Sequence, residues 1–295
     1  MRILILGGTG MLGHRLHERL STEHSVVSTS RRSLISLPID TSSFFQRGRV
    51  VEGVDVTDTA HVDGLIEGIA PDVVINCVGV IKQRADAQDA QISVRVNSLL
   101  PHELCTLAER HNARLIHFST DCVFSGSRGT YTEDDTTDAE DLYGRSKALG
   151  EVSEDHALTL RTSIIGRELY HFSSLVEWFL QQRGKVHGFR RAIYTGVTTA
   201  ELADIVSLLL ADHPDLHGIY QIASSKISKY ALLTLIRDEF DLRSVVSVVP
   251  DDEFVSDRSL NGSRFLESTG IGVHPWDYMV QVLAREALRY RSLAA

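Results

Sequence analysis

The chain has 295 residues, of which 43% are hydrophobic, and a formal net charge of −9. This length predicts one or two domains, and the acidic balance argues against nucleic acid or an anionic membrane as the main partner. Three cysteines are too few for a disulfide framework, and no apolar run reaches the roughly 18 residues of a membrane span, so we expect a cytoplasmic globular protein.

Compact apolar runs alternate with helical patterns in the first half of the chain. Helical spacing of apolar residues is clearest in Met11–Leu20 and Gln91–Arg110. Strands are predicted at Ile3–Leu6, Ser25–Thr29, Arg49–Asp55, Val73–Cys77, Leu115–Ser119 and Leu158–Thr162. Buried strands separated by helices are typical of an α/β fold with a doubly wound parallel sheet.

The pattern changes after the sixth predicted strand. Apolar helices are predicted near Ser174–Gln182, Thr199–Ala211, Lys229–Phe240 and Trp276–Leu288, with strand-like pieces at Gly218–Ile222 and Ser244–Val249. We expect residues 1–163 to form a dinucleotide-binding domain. Residues 164–295 should form mainly a smaller mixed α/β substrate lobe, with some segments returning to the first sheet.

A glycine-rich turn, GGTGMLG at residues 7–13, separates the first strand from the first helix. Gly7 would allow the tight turn, Gly10 the close approach of a pyrophosphate, and Gly13 the contact between helix and sheet. A purely structural turn is the alternative, but the flanking strand and amphipathic helix favour a Rossmann-type cofactor site. The expected contacts are Gly7, Thr9, Gly10, Met11, Leu12 and Gly13.

The second strand ends in Ser30-Arg31-Arg32, where NAD-binding proteins carry an acidic residue for the ribose hydroxyls. Two guanidiniums suit a 2′-phosphate, so NADP(H) is favoured over NAD(H). The alternative is that the arginines only solvate the edge of the sheet. Asp55 and Val56, after the third strand, are expected near the adenine, although Asp55 could instead cap the next turn.

Tyr143 and Lys147 are four residues apart and therefore share a helical face. A neighbouring cation is expected to lower the pKa of the phenol. Thr120, after the fifth strand, supplies a hydroxyl that could orient a substrate oxygen. The thirteen histidines show no metal-ligand spacing, so no metal site is expected.

Taken together, these motifs resemble the extended short-chain dehydrogenase/reductase superfamily. The resemblance includes NCVG at residues 76–79, VNSLLP with Asn97, STDCVFSG at residues 119–126, and YGRSK at residues 143–147. With the acidic GTYTEDD loop and RTSIIG, they look most like the dTDP-4-dehydrorhamnose reductase family. The matching motifs extend over about the first 166 residues.

The resemblance implies roles for individual residues. Thr120, Tyr143 and Lys147 match the catalytic triad, in which the tyrosine gives a proton to a sugar ketone and the lysine binds the nicotinamide ribose. Asn97 matches a supporting asparagine, although a polar residue on a helix flank is the alternative. Further cofactor contacts are expected at Cys77, Val78 and Gly79. The implied activity is NADPH-dependent reduction of a nucleotide-activated 4-keto-6-deoxy sugar in polysaccharide or glycoconjugate biosynthesis.

The chain departs from the family pattern where the relatives face the sugar. Cys122 replaces an aromatic residue, and Ile164 replaces a frequent tryptophan. We therefore expect a wider pocket, in which at least one other nucleotide 4-ketosugar is a better substrate than dTDP-4-dehydrorhamnose. The remaining candidate substrate contacts are Lys82, Asp121, Arg190 and Arg258, and for the arginines a surface charge or an internal ion pair is the alternative.

Other functions stay open on the sequence alone. An epimerase or dehydratase on the same scaffold would return its cofactor unchanged. A noncatalytic NADP-binding regulatory subunit is the alternative from another class, and the intact Thr120, Tyr143 and Lys147 speak against it. The expected partner is a nucleotide-sugar substrate, and a homodimer is left open.

Overall fold

The main sheet is parallel throughout the described chain. The computed structural model describes residues 1–81 and 89–290, and over these ranges seven strands pair in the order β10-β6-β5-β4-β1-β2-β3. The strands are β1 (Arg2–Leu6), β2 (Ser25–Ser30), β3 (Arg49–Glu52), β4 (Val73–Asn76), β5 (Arg114–Ser119), β6 (Ala157–Arg161) and β10 (Gly218–Gln221). The predicted doubly wound α/β sheet is confirmed.

Helices connect these strands and cover both faces of the sheet. They are α1 (Gly13–Leu20), α2 (Thr59–Ile69), α3 (Ala90–Ser93), α4 (Leu100–Arg110), α5 (Leu142–Leu149), α6 (Leu175–Leu180), α7 (Thr199–Asp212), α8 (Lys229–Glu239), α9 (Ser263–Thr269) and α10 (Trp276–Arg285). A π-helical stretch, Val94–Leu99, joins α3 to α4, where the sequence predicted one regular helix. Strand order reverses between β1 and β4, and a crevice forms at such a reversal.

A smaller mixed sheet lies in the second half of the chain. Its strands are β8 (Gly184–Tyr194), β11 (Ile227–Ser228) and β12 (Val246–Asp257), and β8 pairs in parallel with β12 and antiparallel with β11. The short strands β7 (Ile164–Ile165) and β9 (Val197–Thr198) pair with each other. The sequence prediction missed β8, because its apolar and polar residues alternate only in part.

The two sheets share a continuous apolar core. A single buried cluster includes Ile3 and Ile5 of the main sheet, Val186 and Val248 of the smaller sheet, and Leu232 of α8. The seventh strand, β10, comes from the second half of the chain and pairs with β6. None of the helices within the described ranges is both long and apolar enough to cross a membrane.

Candidate active site

A cavity of about 670 Å³ opens at the carboxyl ends of the central strands. One side is formed by the turns that follow β1, β2, β4 and β5, and the other by residues of β8, β12 and α8. Ligands of open α/β sheets bind in this position. The cavity therefore has a wall from the main sheet and a wall from the smaller sheet.

The glycine-rich turn fits a diphosphate. Gly7 has a φ of +81°, which favours glycine, and a Cβ added to Gly13 would lie 2.1 Å from the Gly7 carbonyl oxygen. Gly7, Thr9, Gly10, Met11 and Leu12 line the cavity. No described residue accepts a hydrogen bond from the backbone N–H of Met11 or Leu12, and such donors before a helix suit phosphate oxygens.

The two arginines in the turn after β2 have different surroundings. Arg31 lines the cavity and is exposed, whereas the Arg32 guanidinium lies over the Tyr170 ring, 5.4 Å from its centroid. The Ser30 hydroxyl donates to the Arg32 carbonyl oxygen at 2.6 Å and lies 3.2 Å from the Thr9 hydroxyl. Ser30 therefore shapes the turn, and Arg31 is the arginine that reaches the cavity.

Asp55 and Val56 also line the cavity beside this turn. The Asp55 carboxylate accepts bonds from the Thr57 backbone N–H at 2.9 Å and the Thr57 hydroxyl at 2.8 Å. These bonds, together with the charge of Arg31, lower the pKa of Asp55. The carboxylate therefore caps the following turn, as the alternative interpretation held, while remaining on the cavity wall.

Asn97 lies behind the residues that line the cavity after β4. Cys77, Val78 and Gly79 line the cavity, whereas Asn97 is outside the set of described residues that do so. Its side chain accepts from Val80 N at 2.9 Å, donates to Val80 O at 3.0 Å, and donates to the Ser146 hydroxyl at 3.1 Å. Asn97 thereby ties the segment after β4 to helix α5.

Tyr143 and Thr120 are both part of the cavity wall. Helix α5 begins where the Asp141 carboxylate accepts from Gly144 N at 2.8 Å, and this places Tyr143 in its first turn. The Thr120 hydroxyl donates to Asp121 Oδ1 at 3.2 Å. Burial raises the pKa of Tyr143 above its ordinary value. The expectation that a neighbouring cation lowers this pKa is wrong for the protein alone, because burial dominates.

The Lys147 ammonium is bonded to residues of strand β5. Its Nζ donates to the Phe118 carbonyl oxygen at 2.7 Å and lies 3.3 Å from His117 Nε2. The other ring nitrogen of His117 lies 3.1 Å from Asn76 Nδ2. Burial lowers the pKa of Lys147 to about 8. Sequence reasoning missed His117, although a polar side chain inside the buried strand β5 could have indicated it.

Four of the residues predicted as substrate contacts line the cavity: Asp121, Cys122, Ile164 and Arg258. Arg258 Nε donates to the Phe124 carbonyl oxygen at 3.0 Å, and Nη1 lies 3.9 Å from Cys122 Sγ. Burial raises the pKa of Cys122 to about 12. The thiol therefore stays protonated near neutral pH and does not act as a nucleophile.

Arg190 lies outside the cavity. Its Nε donates to Asp252 at 2.8 Å, and both side chains are about half exposed. The neighbouring Phe189 lines the cavity, and successive side chains of a strand point to opposite faces, so Arg190 turns outward. The structure thus favours the ion-pair alternative for Arg190. Lys82 lies outside the described residues.

Lys229 is a cavity residue that the sequence prediction missed. It begins helix α8, lines the cavity, and places Nζ 5.6 Å from the centroid of the Tyr194 ring. No described residue forms a hydrogen bond or an ion pair with this ammonium, although Asp121 attracts it electrostatically. A lysine that follows a capping serine is common on surface helices, so its sequence carried no signal.

Comparison with known proteins establishes the family. A family model described as RmlD substrate binding domain matches residues 1–286. The chain belongs to this family. The resemblance inferred from the motifs is therefore confirmed.

Individual relatives are similar over most of their length. The spore coat polysaccharide biosynthesis protein SpsK of Bacillus subtilis (strain 168) is 26% identical over 304 residues, 98% of this chain and 95% of that protein. The dTDP-4-dehydrorhamnose reductase of Aggregatibacter actinomycetemcomitans is 27% identical over 263 residues, 84% of this chain and 82% of that protein. Its counterpart from Bacillus anthracis str. Ames, solved in complex with NADP, has a TM-score of 0.78 at 21% identity, covering 97% of this chain and 99% of that one. At that identity the likeness shows the fold.

Proposed function

We propose that this protein is an NADPH-dependent reductase of a nucleotide-activated 4-keto-6-deoxy sugar, serving polysaccharide or glycoconjugate synthesis. One observation carries the proposal: Thr120, Tyr143 and Lys147 line the same cavity as the glycine-rich turn. Membership of the RmlD family supports NAD(P)-dependent reduction of nucleotide sugars. We assign cofactor binding to residues 1–163 and substrate binding mainly to residues 164–295.

The residues of the main sheet would hold the cofactor. The N–H groups of Met11 and Leu12 suit the diphosphate, and Lys147 suits the nicotinamide ribose. When bound, the dihydronicotinamide supplies the hydride that reduces the carbonyl carbon. The exposed guanidinium of Arg31 supports a preference for NADP(H) over NAD(H), because it is free of any ion pair with a described carboxylate and lines the cavity.

Tyr143 would act as the proton donor. Its raised pKa keeps the phenol protonated near neutral pH, which is the form needed to give a proton to an oxygen that gains negative charge. Thr120 lines the same cavity, and its hydroxyl would turn from Asp121 to hydrogen-bond the same oxygen. These two side chains perform acid catalysis and orientation, and neither requires a metal.

Lys229 and Arg258 would hold the diphosphate of the substrate. Lys229 begins α8 and Arg258 follows β12, on the side of the cavity opposite the main sheet, which we call the substrate wall. The Asp121 carboxylate attracts both cations. Two cations against one carboxylate leave an excess positive charge, which suits a dianionic group. Phe189 and Phe254 line the same wall with ring centroids 5.2 Å apart, and aromatic faces of this kind stack on nucleobases.

A panel of nucleotide 4-ketosugars tests this function. The assay follows NADPH oxidation with dTDP- and UDP-linked sugars, with and without an acetamido group. We expect stoichiometric oxidation, and a higher kcat/KM for at least one sugar than for dTDP-4-dehydrorhamnose, because Cys122 and Ile164 widen the pocket. Conversion of a sugar without net oxidation would instead show an epimerase or dehydratase.

A further inference from the structure

A chain of hydrogen bonds links the cofactor turn to the segment at residues 286–290. His14, in the first helix, is fully buried, and its Nδ1 lies 2.8 Å from the Gly10 carbonyl oxygen. Its Nε2 lies 2.8 Å from the Tyr290 hydroxyl. Gly10 is the middle glycine of the turn, and Tyr290 is distant from it in sequence.

The partners of His14 determine its tautomer. Burial lowers the pKa of His14 to about 3, so the ring is neutral near pH 7. A carbonyl oxygen can only accept, so Nδ1 must carry the hydrogen that bonds to Gly10. Nε2 is then an acceptor, and the Tyr290 hydroxyl must donate to it. Tyr290 thereby stabilises the tautomer that holds the Gly10 carbonyl.

The orientation of the Gly10 carbonyl determines the direction of the Met11 N–H, because both belong to one peptide group. The Gly10 oxygen also accepts from the backbone N–H of His14 at 3.2 Å, so His14 bonds it twice. A trans peptide points its C=O and N–H in opposite directions. Holding the Gly10 carbonyl toward the helix therefore aims the Met11 N–H away from it, and Met11 lines the cavity.

The 286–290 segment is itself firmly attached to the first helix. Arg15 donates to Glu18 at 2.6 Å and to Glu286 at 2.7 Å, and Arg289 bonds to Glu18 in turn. The Tyr290 ring is buried, with the Arg167 guanidinium 4.9 Å from its centroid and the Phe44 ring centroid 4.9 Å away. These contacts fix the phenol whether or not its hydroxyl is present.

We propose that Tyr290, acting through His14, positions the glycine-rich turn for the cofactor diphosphate, so that the 286–290 segment raises the affinity for NAD(P)H. Both are positioning residues, because neither is among the described residues that line the cavity. The inference rests on the cofactor-binding part of the proposed function and is independent of the sugar.

The test compares wild-type protein with Tyr290→Phe. This variant removes only the hydroxyl, so we expect the fold to be kept and the Kd for NADPH to rise about three- to tenfold, the range that the loss of one hydrogen bond gives. Nitrogen NMR of the His14 ring should report the Nδ1-protonated tautomer in wild-type protein and a mixed population in the variant. The thermal midpoint is recorded alongside.

Tyr278→Phe is the matched control, because that phenol stacks on His274 and is about half exposed. We expect it to leave the NADPH Kd unchanged. Equal affinities of wild-type and Tyr290→Phe protein, or an unchanged His14 tautomer, would overturn the inference alone. Wild-type protein that binds neither NADPH nor NADH would overturn the proposed function as well.

Discussion

The two walls of the cavity are built in different ways. On the wall formed by the main sheet, which we call the cofactor wall, the lining residues follow the ends of β1, β2 and β4. They occur in short, contiguous motifs such as residues 9–12 and 77–79. On the substrate wall, Tyr194 comes from β8, Lys229 from α8 and Arg258 from the segment after β12. Contiguous motifs can be found in a single sequence, whereas a site assembled from distant elements requires the fold.

The largest expected effect is a loss of turnover without a loss of ligand binding at either wall. Tyr143→Phe removes the proton donor, so the rate of sugar reduction should fall by about 10²- to 10⁴-fold. The Kd values for NADPH and for a nucleoside diphosphate should stay unchanged. Stopped-flow turnover and calorimetric titration measure these quantities. Turnover within a factor of two of the wild type would remove Tyr143 from the mechanism.

Lys147→Ala should affect the cofactor wall and turnover together, because the ammonium is assigned both to the ribose and to the neighbourhood of the phenol. Loss of charge-assisted hydrogen bonds predicts a weakening of NADPH binding by roughly tenfold or more. Lys226→Ala is the matched control, since that lysine is exposed and pairs with Asp257 at 3.4 Å. Unchanged NADPH affinity in Lys147→Ala would remove the ribose role.

The pKa of Lys147 predicts that the affinity for NADPH depends on pH. The pKa of Lys147 is lowered to about 8, so the ammonium predominates below that pH and is lost above it. NADPH affinity should therefore fall as the pH rises through about 8. Titrations on either side of this pH, with Lys147→Ala for reference, measure the effect. Parallel profiles for the two proteins would contradict the assignment.

Lys229→Met tests the substrate wall alone. Because the ammonium has no described hydrogen-bond or ion-pair partner in the protein, its removal should weaken UDP or dTDP binding by about tenfold while NADPH binding is retained. Arg190→Met, at an exposed ion pair outside the cavity, serves as the control. A larger loss of nucleoside diphosphate binding in Arg190→Met than in Lys229→Met would reverse the assignment.

The smallest expected effect concerns cofactor preference. Arg31 is exposed, so its contact with a 2′-phosphate is weakened by water, and Arg31→Ala should narrow the NADPH to NADH affinity ratio by several-fold. Arg32→Ala should change the ratio less, because that guanidinium lies over Tyr170. Equal affinities of the wild type for the two cofactors would leave both arginines without this role.

Sequence reasoning reached the main sheet and the glycine-rich turn, because each depends on local spacing. The resemblance to a known family pointed to Thr120, Tyr143 and Lys147, and all three line the cavity. Sequence reasoning misjudged the pKa of Tyr143, since burial depends on residues from other elements. It also proposed Arg190 as a substrate contact and did not consider Lys229. Both are cations in the second half of the chain. Lys229 reaches the cavity because helix α8 begins there, whereas Arg190 points away because side chains along β8 alternate between its two faces.

The most direct test of the account follows the hydride itself. NADPH carrying deuterium in both hydrogen positions at C4 is incubated with the best sugar of the panel, and the product is analysed by mass spectrometry and NMR. The account predicts one deuterium at the sugar C4 carbon for each NADPH oxidised, with the label lost in Tyr143→Phe together with turnover. A product formed without deuterium, or with the cofactor still reduced, would contradict reduction as the activity of this protein.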